Sequence, residues 1–153
     1  MTIYFYSAKE APYGCFSNFA AYPFELDGVR WATTEHYFQA QKFAGTDAAY
    51  AEEIRRTPSP MIAARKGRSR AHPLRKDWET VKDDVMRRAV LRKFEKHDAI
   101  RAVLLGTGDE EIVENTSGDK YWGCASDGTG KNRLGQILTE TRAILRRRES
   151  EAV

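Results

Sequence analysis

A mainly α fold, α+β with a small N-terminal β element, is what this 153-residue chain predicts, on three observations. Apolar residues recur at helical spacing through most of the chain after Thr33, the longest stripe being Trp78, Val81, Val85, Ala89 and Phe94. Strand signals are short and lie near the start, apart from Ile112-Val113. The length suits one domain with a real core, and no repeat or linker interrupts it, so residues 1–153 are expected to form a single helical domain.

Each element has a local cause. Ile3-Tyr4-Phe5-Tyr6 is an apolar run suited to a strand. Phe24 to Trp31 alternates about Asp27-Gly28, a dipeptide that favours the type I′ turn, and so predicts a hairpin. Thr33 or Thr34 caps the next helix and places Glu35 in its first turn. Asp47 caps a helix from Ala48 to Arg56. Thr57-Pro58-Ser59-Pro60 breaks the pattern and starts another helix, with Ser59 as cap and Pro60 at the first helical position, stopping at Gly67. Asp77 opens the long apolar-striped helix. A short helix runs from Asp98 to Leu105, closed by Gly106, and Ile112-Val113 forms a brief strand. A glycine-rich loop from Gly118 to Gly130 leads into a last helix from about Asn132 to Arg147. That helix should bury Leu134, Ile137, Leu138, Thr141, Ile144 and Leu145, while Arg146-Arg147-Arg148 frays as its solvated end.

Composition excludes several classes. Charged residues at 31% and apolar ones at 41% fit a soluble globular protein. No run approaches the roughly 18 apolar residues of a membrane span, and the start lacks a basic-then-apolar leader. A cytoplasmic protein without membrane contact is the expectation. Cys15 and Cys124 belong to no CxxC pair and read as free thiols. His36, His72 and His97 are too scattered to suggest zinc, so neither metal nor cofactor is expected, and no protein partner is inferred. A net charge of +3 argues weakly for nucleic acid, whose binding would fall steeply with salt.

The chemistry-bearing residues fall into four segments. Glu35, Phe38, Gln39 and Lys42 share one helical face, an unusual mixture of acid, amide, amine and aromatic. Tyr13 to Phe19 is an aromatic loop whose Phe16 and Asn18 suit stacking and hydrogen bonding to a base or sugar. Arg65, Lys66, Arg68, Arg70, Arg75 and Lys76 form a candidate anion-binding segment next to Trp78. Asn115 to Gly135 offers Asp119 as an acid or base beside Trp122, and a glycine-rich approach to a helix N-terminus where free N–H groups suit an anion. This last segment lacks the GxxxxGK[ST] order. Plainer readings stand beside these: unrelated charges on an amphipathic helix, a core plug, cations on a helix C-terminus, and an Asx turn at Asp119.

Two carboxylates, one lysine, aromatic plates and anion sites suit hydrolysis at an anomeric carbon carrying a phosphorylated or nucleotide-like group. Such a reaction needs an acid for the leaving group, and a base or nucleophile for an oxocarbenium-like carbon. A lysine of lowered pKa offers a Schiff-base route instead. A nucleotide-binding module without turnover would use the same basic and aromatic residues.

Taken together, Phe16-Ser-Asn-Phe19, Trp31-x-Thr-x-Glu35-His-Tyr-Phe-Gln-Ala-x-Lys42, Gly67-Arg68, Asp77-Trp78, Asp119-x-x-Trp122-Gly123 and Gly130-x-Asn132-x-Leu-Gly135 resemble the YbiA-like, or NADAR, family. The resemblance runs from about Ile3 to Leu145, and its bacterial branch is matched by Ser59-Pro-Met-x-Ala-Ala-Arg and Pro73-Leu-Arg-Lys-x-Trp78-Glu. It implies an N-glycosidase acting on early riboflavin intermediates, ribosylaminopyrimidine phosphates, as damage pre-emption. Related members remove ADP-ribose from guanine bases, and only that alternative would bring in nucleic acid.

On this resemblance Glu35, Lys42 and Asp119 are the expected catalytic residues. Phe16, Asn18, Gln39, Arg68, Trp78, Trp122, Gly123, Asn132 and Arg133 are the expected substrate contacts. The ligand is a small phosphorylated N-riboside or an ADP-ribose conjugate. Many members continue Trp-Gly-Asp-Gly where this chain has Trp122-Gly123-Cys124-Ala125, which bears on the geometry of that loop.

Overall fold

Asp27 and Gly28 both take positive φ, 55° and 82°, as a type I′ turn requires. The turn closes an antiparallel hairpin of β2 (Phe24–Leu26) and β3 (Val29–Trp31), with Phe24 opposite Trp31. Trp31 Nε1 donates back to the Leu26 carbonyl at 2.9 Å, and the indole meets the Tyr37 ring edge-on at 5.0 Å. One side chain thereby ties the hairpin to the following helix.

The computed structural model describes residues 1–152 and divides into two compact units, Ala21–Lys93 and the remainder. It is mainly α with only short strands, and no helix among the described residues is long and apolar enough to cross a membrane.

In the first unit the hairpin is followed by α1 (Thr34–Gln41), α2 (Ala48–Arg55), α3 (Pro60–Gly67) and α4 (Trp78–Lys96), whose last turn belongs to the second unit. The caps are those the side chains dictate. Thr33 accepts from the His36 N–H, Asp47 from Tyr50, and Ser59 from Ile62. Helix α1 packs on both α2 and α3, and every residue from Thr34 to Ala40 is buried. Asp47 also accepts from His72 Nδ1 at 2.7 Å, and the His72 ring stacks on Tyr50 at 3.5 Å. The Tyr50 hydroxyl in turn donates to the Lys66 carbonyl at 2.7 Å, joining α2 to the end of α3. Along α4, Trp78, Val85, Ala89 and Phe94 are buried as the stripe predicts, and Val81 is half-buried.

In the second unit β1 (Ile3–Phe5) runs parallel to β4 (Ile112–Glu114), with Ile3 opposite Ile112. A 3₁₀ turn at Tyr13–Phe16 follows β1, then α5 (Asp98–Gly106) precedes β4 and α6 (Arg133–Glu151) ends the unit. Phe5, Phe16, Phe94, Leu104, Ile112, Leu134 and Ile137 form its core. Ile144, expected inside, is half-buried. The expected fraying at Arg146 to Arg148 is corrected, although their exposure to solvent is as expected: α6 continues to Glu151. Arg146 reaches Asp109 at 2.9 Å, and Arg148 pairs with Glu95.

Candidate active site

Helix α1 brings the acid and the amine together. Gln39 follows Glu35 by one turn, and its Nε2 donates to Glu35 Oε2 at 2.7 Å. Both are buried, at 9% and 7% exposure. At the C-cap of the same helix, Lys42 is half-buried, and its Nζ donates to the Gly67 carbonyl at 3.4 Å. The ammonium stands 5.7 Å from the Phe38 ring centre and 6.0 Å from that of Trp78, and these two rings meet edge-to-face at 5.0 Å.

Burial sets the protonation of Lys42. Desolvation is the largest influence and lowers its pKa to about 8, against the Glu35 carboxylate, which raises it. The cations of Arg70, Arg68 and Lys82 lower it further. A substantial neutral fraction at physiological pH is the chemical consequence, which an ordinary surface lysine lacks.

His36, between these residues, serves the fold. Its Nε2 donates to the Thr57 carbonyl at 3.0 Å, which leaves Nδ1 to accept from the Thr33 hydroxyl at 2.8 Å. Burial lowers its pKa, against the Thr57 hydrogen bond, which raises it, and so favours the neutral ring.

The basic segment divides in two. Arg75 makes a two-pronged pair with Asp77 at 2.7 and 3.1 Å, and Lys66 pairs with Glu53 at 2.9 Å. Both are therefore neutralised locally rather than offered to a ligand. Arg68 and Arg70 are exposed beside Gly67, and Arg70 donates to the Gly67 carbonyl at 3.4 Å. Arg70 and Lys82 act on Lys42 but are absent from the expected contacts. Lys82 was legible: it follows Trp78 by four on one helical face. Gly67 reads in sequence only as a helix end and a motif letter. Its role at Gln39 arises from packing.

The remaining expected residues lie in the second unit. Phe16 is 1% exposed, its ring held among Phe5, Tyr13 and Phe94, and so it is a core plug. Asn18 is half-buried on the same loop. Asp119 is exposed and forms the Asx turn, its Oδ1 accepting from the N–H groups of Tyr121 at 2.9 Å and Trp122 at 2.8 Å. Trp122 is half-exposed, with Tyr121 edge-on at 4.9 Å, and Arg133 pairs with Gln136. A side chain at Gly123 would collide with Thr116, whose Cγ2 it would approach to 2.3 Å. Asn132 serves as a bridge: its Oδ1 accepts from the Glu114 N–H at 3.0 Å and its Nδ2 donates to the Ile112 carbonyl at 2.9 Å.

One expectation here is corrected. The approach to α6 does not offer its N–H groups to an anion, because the loop folds back on the helix start. Lys131, Arg133 and Leu134 donate to the carbonyls of Lys120, Tyr121 and Trp122 at 2.8, 3.0 and 3.1 Å. Asn132 and Gly130 donate to Gly123 and Cys124 at 3.0 and 2.8 Å. Backbone pairing within the loop satisfies donors that the sequence leaves open.

A buried acid held by an amide, beside an amine of lowered pKa, makes this face of α1 the candidate active site. The family model of the NADAR domain matches residues 4–146. The chain is 57% identical to N-glycosidase YbiA of Escherichia coli (strain K12) over 94% of this chain and 88% of that protein. The NMR structure of the E. coli protein YbiA superposes with a TM-score of 0.90 at 54% identity, covering 99% and 90% of the two chains. A "riboflavin biosynthesis protein" of Vibrio vulnificus is 37% identical over 94% of this chain and 38% of its own length. The chain belongs to the NADAR family, and it is a hydrolase of glycosidic bonds.

Proposed function

We propose that this N-glycosidase cleaves the N-ribosyl bond of ribosylaminopyrimidine 5′-phosphates, the early intermediates of riboflavin biosynthesis, in the cytoplasm, and so removes reactive metabolites before they cause damage. The observation that carries the reading is the Glu35–Gln39–Lys42 arrangement on α1, an amine of pKa about 8 beside a hydrogen-bonded carboxylate. The riboflavin-named relative supports the substrate class.

In this reading the neutral Lys42 amine attacks C1 of the ribose. The attacking nitrogen gives one proton to the Glu35 carboxylate, which passes it to the departing nitrogen as the C1–N bond to the pyrimidine breaks. The attached Lys42 nitrogen then gives its remaining proton to the ring oxygen as the C1–O bond breaks and the sugar ring opens to an imine. Water adds to that imine, the C1–Nζ bond breaks, and ribose 5-phosphate leaves with the free amine regenerated. Beside them on the same unit, Arg68 serves the phosphate and Trp78 the base.

The test is a mass-spectrometric product assay with ribosylaminopyrimidine 5′-phosphate and ADP-ribosylated guanosine offered in parallel. Release of ribose 5-phosphate is expected, falling at least about 100-fold in folded Glu35→Gln. Borohydride should trap a sugar adduct on the wild-type chain and none on Lys42→Ala. Release of ADP-ribose instead would transfer the substrate to the guanine-directed branch. Binding without either product would leave a nucleotide-binding module.

A further inference from the structure

Gly67 touches both arms of the catalytic pair. Its carbonyl oxygen accepts from Lys42 Nζ at 3.4 Å. Its Cα faces Gln39: a methyl group at residue 67 would fall 1.8 Å from Gln39 Oε1, 2.6 Å from Cδ and 3.1 Å from Cβ. A Cα hydrogen of Gly67 therefore points at that oxygen, which is buried and has no other hydrogen-bond partner. The opposite end of the same amide donates to Glu35 Oε2 at 2.7 Å.

We propose that Gly67 is a positioning residue for the reaction: the bare Cα at the end of α3 presses the Gln39 amide onto Glu35 while its carbonyl holds Lys42. This rests on the reading of Glu35 and Lys42 as catalytic residues. Three things about Gln39 make the device specific. The side chain is 7% exposed, so it has little room to swing aside. The Glu35 carboxylate needs a donor, so Nε2 must face it and Oε1 must face Gly67. The contact spans packed helices, α1 and α3, so the constraint is rigid rather than local.

The experiment compares Gly67→Ala, Gln39→Ala, the double variant and Glu35→Gln in the full chain, with ribosylaminopyrimidine 5′-phosphate as substrate. The added methyl displaces the amide, and a misplacement near 1 Å lowers kcat by about 10- to 100-fold. In Gly67→Ala KM should stay within about two-fold, because that change removes no substrate contact. Both single variants remove the same anchor, so the double variant should be no slower than Gln39→Ala alone. Wild-type kcat in Gly67→Ala, or losses that multiply in the double variant, would overturn the proposal. Should Gly67→Ala fail to fold, Gln39→Ala decides it, since that change adds no volume: a retained kcat overturns the proposal and a matching loss supports it. Full activity in Glu35→Gln would bring down the catalytic reading and this proposal together. An inactive Glu35→Gln beside an active Gly67→Ala would sink this proposal alone.

Discussion

Lys42 Nζ stands 6.0 Å from the centre of the Trp78 indole, and burial outweighs the attraction of the ring. An aromatic face stabilises an ammonium by roughly 0.5–2 kcal/mol. The pKa nonetheless falls from 10.5 to about 8, so the charged form is the disfavoured one.

The consequence for stability has a definite sign. Below pH 8 Lys42 is charged both folded and unfolded, and the folded state carries the full desolvation cost. From pH 8 to 10.5 the unfolded chain binds more protons, so stability rises with pH through that window. Lys42→Met should therefore be more stable than wild type at pH 7, by about 1–2 kcal/mol after solvent screening. The difference should vanish toward pH 10.5, as read by urea denaturation at a series of pH values. Over the same series kcat/KM should climb through about pH 8 if the neutral amine is the nucleophile. A flat profile would assign Lys42 the electrostatic role.

His36 gives the opposite limb. Its folded pKa lies below 6.5, chiefly through burial, so the folded state resists protonation. Stability should fall as pH drops below 6.5, with a slope of up to about 1.4 kcal/mol per pH unit from this one group. In His36→Gln that share of the acid slope should disappear, whatever the change in stability at pH 7. Denaturation midpoints between pH 7 and 5 measure it, and an unchanged slope would count against the buried neutral ring.

Ala125 occupies the place where the family pattern has glycine, and its φ is 61°. The conformation is held by a hydrogen bond from its N–H to Thr116 Oγ1 at 3.1 Å. The loop thus keeps a left-handed turn with a non-glycine residue, at a cost of about 1–2 kcal/mol. Ala125→Gly should change stability by less than about 1 kcal/mol, because relief of strain is offset by chain entropy and the lost buried methyl. Ala125→Val should lose about 2 kcal/mol or more, a β-branched side chain being far less tolerant there. Thermal unfolding of the two variants separates the cases.

Much of the fold was legible because its causes are local. The Asp27-Gly28 turn, the caps Thr33, Asp47 and Ser59, and Pro60 at the first turn of α3 each act within three residues, so composition at those positions decides the outcome. The Glu35–Lys42 face was legible for the same reason, since helical period alone aligns its members. Phe16 and Asn132 were readable as useful residue types but not as to their place. A phenyl ring serves a core as well as a base, and an asparagine amide bridges backbone as well as it binds sugar.

By itself, then, the sequence determined where the capped helices begin, which residues share the face of α1, and the family to which the chain belongs. Tertiary structure decided the rest. The parallel pairing of Ile3 with Ile112 joins segments more than a hundred positions apart, which no local rule anticipates. The packing of α3 on α1 puts Gly67 against Gln39, and the folding back of the loop silences the N–H groups at the start of α6. Periodicity and capping act over a few residues, whereas desolvation and close approach depend on which distant surfaces meet.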